Sequence, residues 1–523
     1  MTVAFLFPGQ GSQTPDMREH VARWCRDLAE LAVEAVGEDP FARLDDGTRF
    51  LQPALLCASL AGGTRLVTLG VTDVDGVAGH SLGEIAALVA AGSICPEHGI
   101  EPQRPHGRGS DRPSCEARDV VSRRVVVTGV GAVSPLGTDA VTLIDRWIAG
   151  ECGLADGRGL CSEFDPLVHL SRKEVRRTDR FAQLAVAAAK EAMTMAGWGN
   201  GIPYVSERIG SVVGTGIGGL ATISTEHASL QKRGPAAVLA LLVPLMMTNA
   251  TSAAIAMRRG FFGPNFSVRS ACAASAHAIG TAFKLIQSGK ADAMITGGAE
   301  SAINEFAAAG FAATGATSRT GISRPFDARR DGFVLGEGAG ILVLESAESA
   351  HARNASVVGE ILGYGASSDA FHSTAPEPDG AGVAHAISFA LDDAGIEPSD
   401  LDYVNAHGTS TPLNDRSETE ALKRALGAEA ERLPVSSTKS AIGHLLGAGG
   451  AVELVSTLLA LARRVMPPTL GYEEPDAGLD LDYVPGEARA LQARANGTGS
   501  GRALAISNSF GFGGHNAVLC VAA

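Results

Sequence analysis

The sequence contains no uninterrupted apolar run long enough to cross a membrane. Its longest apolar stretch, Ala236–Met247, is shorter than the about 17 residues that a spanning helix needs, and Pro244 interrupts it. The first residues, MTVAFLFPGQGSQ, lack the basic start of a signal peptide. These absences argue against a membrane partner and predict a cytoplasmic protein.

Cysteine and positive charge are also scarce. The eight cysteines, from Cys25 to Cys520, show neither metal-ligand nor disulfide spacing, so we expect reduced thiols and no metal site. The formal net charge of -14 disfavours nucleic acid as a partner. Any acidic partner must therefore dock on a local basic patch.

The composition changes sharply once, between about Ser93 and Arg123. The stretch PEHGIEPQRPHGRGSDRPSCEARD is rich in proline, glycine and arginine and has no apolar period, so it predicts a linker over residues 96–122. This linker separates a segment of residues 1–95 from a larger domain of residues 123–523.

The larger domain shows the same kind of segments twice, over about 123–350 and 351–523. Its first half contains IGSVVGTG, NFSVRSA and ADAMITGGAE, and its second half contains EILGYG, DYVNAHG and RALAISNS. These apolar strands alternate with helical segments, which predicts a duplicated α/β fold with helices covering buried sheets. The domain is expected to begin with a buried strand, Val125–Val127, followed by a glycine turn.

The segment RSACAASAHAIG places Cys272 at the expected start of a helix, for which Gly289 supplies a stop. The apolar residues of this helix recur at helical spacing: Ala276, Ile279, Phe283 and Ile286. A helix N-terminus lowers the pKa of a thiol from its usual value of about 8.5, so the sequence predicts an activated nucleophile. The alternative is a small buried apolar residue, the usual role of a lone cysteine.

Two histidines lie in glycine-flanked turns. His407, in NAHGTSTPLND, follows an apolar strand, and His444, in SSTKSAIGHLLGAGGAVE, precedes a long helix. Lys439 is close enough in sequence to orient His444 through side chains or water. The two histidines could instead have a purely structural role, and Lys439 could be an ordinary solvated surface lysine.

Together, the thiol and the two imidazoles indicate an enzyme that forms carbon–carbon bonds. A thiol can hold an acyl group as a thioester. Two imidazoles can stabilise the charge that appears when a carboxylate leaves a neighbouring malonyl unit.

At these residues the sequence resembles the elongating β-ketoacyl-acyl carrier protein synthases, the type II condensing enzymes of fatty-acid and polyketide synthesis. The resemblance covers Arg123 to the C-terminus and includes SRPFDARRDGFVLGEGAG, GYGASSDAFHSTAP and NSFGFGGHN. It implies a thiolase-like duplicated αβαβα fold. It also implies a homodimer, and the alternative assembly is a heterodimer with a related subunit. It also implies acyl and malonyl thioesters carried on the phosphopantetheine of an acyl carrier protein, and no cofactor bound by the chain.

The resemblance assigns roles to individual residues. Cys272 would be the nucleophile, while His407 and His444 would bind the malonyl thioester carbonyl and promote decarboxylation. Lys439 and Glu453 would support the two histidines.

Other residues would bind the substrate by the same resemblance. The backbone N–H groups of Cys272 and Phe512 would form the oxyanion hole, and Phe512 would also gate the acyl pocket. Thr409 and Thr411 would hydrogen-bond the phosphopantetheine arm, and Ile217 would lie on the acyl pocket.

A basic cluster in SRKEVRRTDRF matches the region with which the family receives its acidic carrier protein. Its members are Lys173, Arg176, Arg177 and Arg180. An ordinary solvated helix face is the alternative. Separately, Arg269 and Ser270 replace the small, β-branched or threonine residues more usual before the cysteine, which puts a charge near the site and leaves the substrate preference open.

A rival interpretation is a partner subunit without condensing activity of its own. Chain-length-factor subunits of heterodimeric ketosynthases are related in sequence but replace the cysteine. This chain retains Cys272, which favours the condensing enzyme.

The first segment resembles the start of a malonyl- or acyl-CoA:carrier protein transacylase. It contains FPGQGSQ, and GHSLGE in a strand, turn and helix context that suits a nucleophile elbow at Ser81. Gln10 and Leu82 would supply oxyanion donors. The resemblance ends at about Ile94, before the family's carboxylate-binding arginine, catalytic histidine and lid. The sequence therefore predicts that this segment is a truncated, inactive relic of a transacylase. A frameshift or a gene-fusion artefact would produce the same amino-acid sequence.

Overall fold

The structure is a computed structural model that describes residues 4–7, 17–24, 27–28, 30, 32–33, 38–42, 57–58, 76–79, 123–199, 201–492 and 501–523. The chain divides into two compact units, Met1–Val121 and Ser122–Ala523. The expected linker, residues 96–122, lies outside the described residues.

The first unit contains a short parallel pair of strands. Strand β1 (Ala4–Phe7) pairs with β2 (Gly76–Gly79), and helix α1 (Met17–Trp24) follows β1 in the chain. A 3-10 turn spans Pro40–Ala42. The expected nucleophile elbow at Ser81 and the oxyanion donors Gln10 and Leu82 lie outside the described residues, so these assignments stay predictions.

Ten strands of the second unit form one sheet. In chain order, five come from the first half of the unit and five from the second: β3 (Val125–Val133), β4 (Ile209–Gly214), β5 (Asn265–Val268), β6 (Ala293–Glu300) and β7 (Gly338–Ser346), then β8 (Gly359–Ser368), β9 (Tyr403–Asn405), β10 (Val435–Ser436), β13 (Leu504–Gly511) and β14 (His515–Ala522). A separate antiparallel pair joins β11 (Val465–Met466) and β12 (Arg489–Ala490).

The two sets of five strands share one topology. Their orders are β5-β4-β6-β7-β3 and β10-β9-β13-β14-β8, and β3 meets β8 over Val125–Val127. If the strands of each half are numbered from one to five along the chain, both orders read 3-2-4-5-1. The predicted duplication is therefore present in the fold.

The helices of the second unit cover and separate these two sets of strands. In chain order they are α2 (Ala140–Ile148), α3 (Arg172–Val175), α4 (Arg180–Met195), α5 (Leu220–Arg233), α6 (Leu242–Met246), α7 (Ala250–Arg259), α8 (Ala274–Gln287), α9 (Glu305–Ala313), α10 (Ala347–Ala352), α11 (Ala381–Ala394), α12 (Pro412–Leu426), α13 (Lys439–Ile442) and α14 (Gly449–Arg463). Helices α8 and α14 share a central apolar cluster with strands of both halves. Helices α4 and α7 pack on the outer face of the first set, and α11 and α12 pack on that of the second. This is the expected αβαβα arrangement.

Strand β3 corrects the expectation of a glycine turn after Val127. It continues to Val133, with a bulge between Val127 and Gly129. A Cβ on Gly129 or Gly131 would lie 2.0 or 2.1 Å from a backbone oxygen of α4. These glycines therefore do not turn the chain but allow a helix to approach the strand closely.

The apolar stretch before and within α14 is a core element. Among the described residues, Leu446–Arg463 is the one helical stretch long and apolar enough to cross a membrane, but 83% of it is buried inside the domain. Its burial between the two sets of strands accounts for its composition.

Candidate active site

The predicted site residues of the two halves meet at one cavity of about 310 Å³. Six of them line it: Cys272, His407, Thr409, Thr411, His444 and Phe512. Cys272 comes from the first half of the domain and the other five from the second. The duplicated fold thus assembles a site that neither half contains alone.

Cys272 lies in a tight turn between β5 and α8. The preceding residue, Ala271, has a positive φ of 50°, and α8 begins two residues after the cysteine. The backbone N–H of Phe512 faces the Cys272 sulfur and favours its thiolate form, which lowers the pKa of the thiol. A Cβ on Gly511 would lie 2.8 Å from the carbonyl oxygen of Ser270 and 3.0 Å from the Cys272 nitrogen, so this approach requires glycine.

The pKa of Cys272 differs from the sequence-based expectation. Burial raises it to about 12, although the positive charge of Lys439 and the N–H of Phe512 act in the opposite direction. The prediction of a thiol activated at rest is therefore wrong, because desolvation of the thiolate outweighs the groups that favour it. The thiol must lose its proton as it attacks.

His407 is held through its backbone by a buried carboxylate. The N–H groups of His407 and Gly408 donate to the two oxygens of Glu418, at 2.8 and 2.7 Å, and the Asn508 amide donates to the first at 3.0 Å. Burial raises the pKa of Glu418 to about 7. Sequence reasoning missed this residue, because RSETEALKR has the composition of a solvated helix face.

A buried ion pair sets the ring state of His407. The Lys439 ammonium lies 2.5 Å from a Glu453 oxygen and 3.3 Å from Nδ1 of His407. An ammonium group can only donate, so Nδ1 must accept and the ring proton must reside on Nε2. The direct contact of Lys439 is therefore with His407, while its charge also acts on His444, so its orientation of His444 through side chains or water stays a prediction.

His444 is anchored by its main chain and packed between rings. Its N–H donates to the Val334 carbonyl at 2.7 Å, and its carbonyl accepts from Gly336 at 2.9 Å. The imidazole lies nearly perpendicular to the rings of Phe333 and His407, at 5.2 and 5.4 Å between centroids. Its Nδ1 is buried and has no hydrogen-bond partner among the described residues.

Both imidazoles are neutral at neutral pH. Burial, and then the charge of Lys439, holds the pKa of His407 and of His444 well below 6.5. Burial also raises the pKa of Glu453, an effect that its contact with Lys439 opposes. Two neutral rings can offer N–H donors to a carbonyl without competing for a proton.

The remaining predicted substrate contacts fall partly on the cavity. The hydroxyl oxygens of Thr409 and Thr411 lie 2.9 Å apart at its wall. Ile217 is not one of the lining residues; it packs in an apolar cluster with Cys272 and Leu446 beside the cavity. Sequence reasoning missed most of the apolar lining, which includes Phe311, Phe333, Val383, Leu413 and Phe510.

The basic cluster is exposed except for Arg180. Lys173 lies on α3, and Arg176 and Arg177 follow it, all with exposed side chains. Arg180 instead pairs at 2.7 Å with the buried carboxylate of Glu337, so it is corrected to a structural residue. The other three form a continuous exposed patch.

Arg269 does not point its charge into the cavity. Its Nε donates to the carbonyl of Gly216 at 3.1 Å, and it is not a lining residue. Its nearest effect on the site is therefore on the loop that carries Ile217.

Three family descriptions match the chain. The Beta-ketoacyl synthase N-terminal domain matches residues 122–350, and the Beta-ketoacyl synthase C-terminal domain matches residues 358–473. The Acyl transferase domain matches residues 4–103. This match extends beyond Ile94, at which the transacylase resemblance was predicted to end.

Curated relatives and solved structures agree with these matches. The chain is 45% identical over 426 residues to 3-oxoacyl-[acyl-carrier-protein] synthase 2 of Synechocystis sp., covering 76% of this chain and 97% of the relative. It is 44% identical over 414 residues to the Staphylococcus aureus protein of the same name, covering 76% of this chain and 98% of the relative.

Among solved structures, a type II polyketide ketosynthase in complex with its acyl-carrier protein shares 30% identity and a TM-score of 0.70, over 77% of this chain and 100% of that chain. A β-ketoacyl synthase from Burkholderia phymatum shares 34% identity and a TM-score of 0.70, over 76% and 99%. The fold, the cavity and these matches together establish that the chain belongs to the β-ketoacyl synthase family, with an acyl-transferase-like segment at its N-terminus.

Proposed function

We propose that the protein catalyses the decarboxylative Claisen condensation of an acyl thioester held on Cys272 with malonyl-acyl carrier protein, in fatty-acid or polyketide chain elongation. The observation that carries this proposal is the junction of one thiol and two neutral imidazoles in a single cavity. The names of the curated relatives support it.

The first step transfers the acyl group to the enzyme. The Cys272 sulfur attacks the carrier thioester carbonyl, a new carbon–sulfur bond forms, and the carrier thiol leaves with the proton that the cysteine releases. The N–H groups of Cys272 and Phe512 would stabilise the oxyanion. Thr409 and Thr411 would hold the phosphopantetheine arm as each thioester enters.

The second step breaks one carbon–carbon bond and forms another. His407, through Nε2–H, and His444 would bind the malonyl thioester carbonyl, so that carbon dioxide leaves and an enolate remains. The enolate carbon attacks the acyl carbonyl, and the Cys272 sulfur leaves and takes up a proton. Lys439 and Glu453 act as positioning residues, since their ion pair keeps the proton of His407 on Nε2.

The partners follow from the same chemistry. We infer an acyl carrier protein as the donor of both thioesters and a cytoplasmic location, which suits the free thiols of the described cysteines. A homodimer is the expected assembly. A heterodimer is the alternative, because one structural neighbour at 34% identity is described as a ketosynthase/chain length factor.

The same experiment tests the proposed function and its rival. The protein is incubated with a panel of acyl-carrier proteins and analysed by intact mass, and malonyl-carrier protein is then added. A condensing enzyme gains an acyl mass on Cys272 and releases carbon dioxide and a β-ketoacyl product. A chain-length-factor-like subunit gains no acyl mass, which would contradict the proposal.

Carrier docking gives a further prediction. Within the basic patch of Lys173, Arg176 and Arg177, Arg177 lines a groove of about 700 Å³, which Lys190 and Arg259 also line. Replacing Arg176 and Arg177 by glutamate should raise the KM for carrier-bound substrate about tenfold or more at low salt, because it turns attraction into repulsion. The effect should shrink as salt is added.

Arg424→Glu on α12 is the matched control, since it reverses an equally exposed charge outside the patch. Its KM should stay near that of the wild type. Equal KM values for the patch variant and the wild type at low salt would show that the patch is an ordinary solvated surface.

The N-terminal segment gives another prediction. A chain beginning at Val120 should keep condensing activity, because every residue assigned to condensation lies beyond it. Residues 1–95 alone should transfer no malonyl group from coenzyme A. Radiolabelled malonyl transfer by full-length protein and by its Ser81→Ala variant decides the matter: labelling of the wild type but not of the variant would overturn the relic interpretation.

A further inference from the structure

Glu300 is a buried carboxylate that the mechanism above does not use. It is the last residue of β6 and is fully buried. Its oxygens accept hydrogen bonds from the backbone N–H groups of Gly216, at 2.5 Å, and of Ile217 and Gly218, both at 3.3 Å. The Thr215 hydroxyl donates to it at 3.1 Å. One side chain therefore holds the loop over residues 215–218.

The same carboxylate also holds the loop that follows His444. The N–H of Gly447 donates to Glu300 at 3.2 Å. A Cβ on Gly447 would lie 2.0 Å from the Gly216 nitrogen, and one on Gly216 would lie 3.6 Å from the carbonyl oxygen of Ala271. The loops that carry Ile217, His444 and Cys272 thus touch one another around Glu300.

The partners of Glu300 are all donors, and among the described residues it has no ion pair with a lysine or an arginine. Backbone N–H groups that converge on one anion form an anion-binding concavity, which here is filled by the protein's own carboxylate. Removing this acceptor would leave several buried donors unpaired, at a cost that the loops can relieve only by moving.

We propose that Glu300 is a positioning residue that sets the relative placement of the acyl-pocket loop, the nucleophile and the malonyl-site histidine. The catalytic part of this inference rests on the proposed condensing function. Ile217 is fixed through its own N–H, and it shares an apolar cluster with Cys272 and Leu446, so any shift of the loop changes the space beside the thioester. Glu300 thereby determines which acyl lengths fit.

The direct experiment is Glu300→Gln in the full chain. Glutamine keeps the shape but replaces one acceptor oxygen by an NH₂ group that faces N–H donors. We expect the kcat of condensation to fall about 10- to 100-fold, as displacements of about 1 Å do at reacting centres. We also expect the relative rates across a series of acyl-carrier proteins of increasing chain length to change.

The shift in the length profile separates positioning from a general loss of folded protein, which would scale all rates equally. Glu345→Gln is the matched control, because Glu345 is an equally buried carboxylate on β7 that bonds Thr128, Tyr204 and Arg353 away from the cavity. Its length profile should equal that of the wild type. Glu300→Asp, which keeps the charge but withdraws it by one methylene, should give an intermediate profile.

The outcomes are distinct. If the wild type condenses and the acyl-length profile of Glu300→Gln equals that of the wild type, this inference alone is overturned. If Glu300→Gln does not fold, an unchanged acyl-length profile in Glu300→Asp overturns it in the same way. A wild type that forms no condensed product would refute the proposed function alone. The rate at which iodoacetamide alkylates Cys272 would then still report on positioning: it should differ severalfold between Glu300→Gln and Glu345→Gln, and equal rates would overturn the inference.

Discussion

Replacing Cys272 by alanine should abolish condensation, with a loss of at least about 10,000-fold, as expected when a covalent nucleophile is removed. Cys272 alone among the residues lining the cavity carries a thiol. The hydroxyl groups of Thr409 and Thr411 lie against each other, at 2.9 Å, and a neutral hydroxyl is a weaker nucleophile than a thiol. Intact mass after incubation with acyl-carrier protein should therefore show no acyl adduct on the variant.

Cys161→Ala is the matched control for this experiment. Cys161 is another thiol of the first half, but it is buried, its sulfur donates to the Glu337 carbonyl, and it does not line the cavity. This variant should acylate and condense like the wild type. Full chain elongation by the Cys272→Ala protein would remove the basis of the nucleophile assignment.

Replacing His444 by alanine should separate the two steps. Condensation should fall about 100- to 1000-fold, because one donor to the developing enolate is lost. Acyl transfer to Cys272 should remain measurable, since that step depends on the turn around the cysteine and on the N–H of Phe512. The measurements are the acyl mass on Cys272 and the release of carbon dioxide from malonyl-carrier protein, followed separately.

The pH dependence sharpens this prediction. Because burial and Lys439 hold the pKa of His444 well below its usual value, the ring stays neutral when the pH falls from about 8 to about 6. The ratio of wild-type to variant rates should therefore stay constant over that range. His385→Ala, which changes an exposed histidine of α11, should leave both steps intact. Equal loss of acylation and condensation in His444→Ala would contradict the division of roles.

Local patterns in the sequence were sufficient for much of the fold and for the location of the site. Apolar strands alternating with helical spacing predicted the duplicated, layered domain, because burial selects for residue type at each position along an element. The helix after Cys272 was predicted from its apolar spacing and its glycine stop, and it begins two residues beyond the cysteine. The glycine-flanked segments predicted Cys272, His407 and His444 as reactive side chains, and the structure brings all three to one cavity.

Local patterns failed where a property depends on surroundings. The sequence indicated a thiol activated by a helix N-terminus, but burial raises the pKa of Cys272 instead. A glycine turn was expected after Val127, but Gly129 and Gly131 lie within a strand under a close helix. Neither the degree of desolvation nor the approach of a distant helix is visible in a short segment.

By itself, the sequence determined which residues are candidates for the chemistry and on which kind of element each lies, because these properties depend on side-chain type and on neighbours a few positions away. Only the tertiary structure decided which groups act together. Lys439 contacts His407 rather than His444, Arg180 pairs with Glu337, and Glu300 bonds Gly447, 147 residues away. Hydrogen bonds and desolvation act over a few ångströms in space, and the folding of the chain alone brings such distant residues within that range.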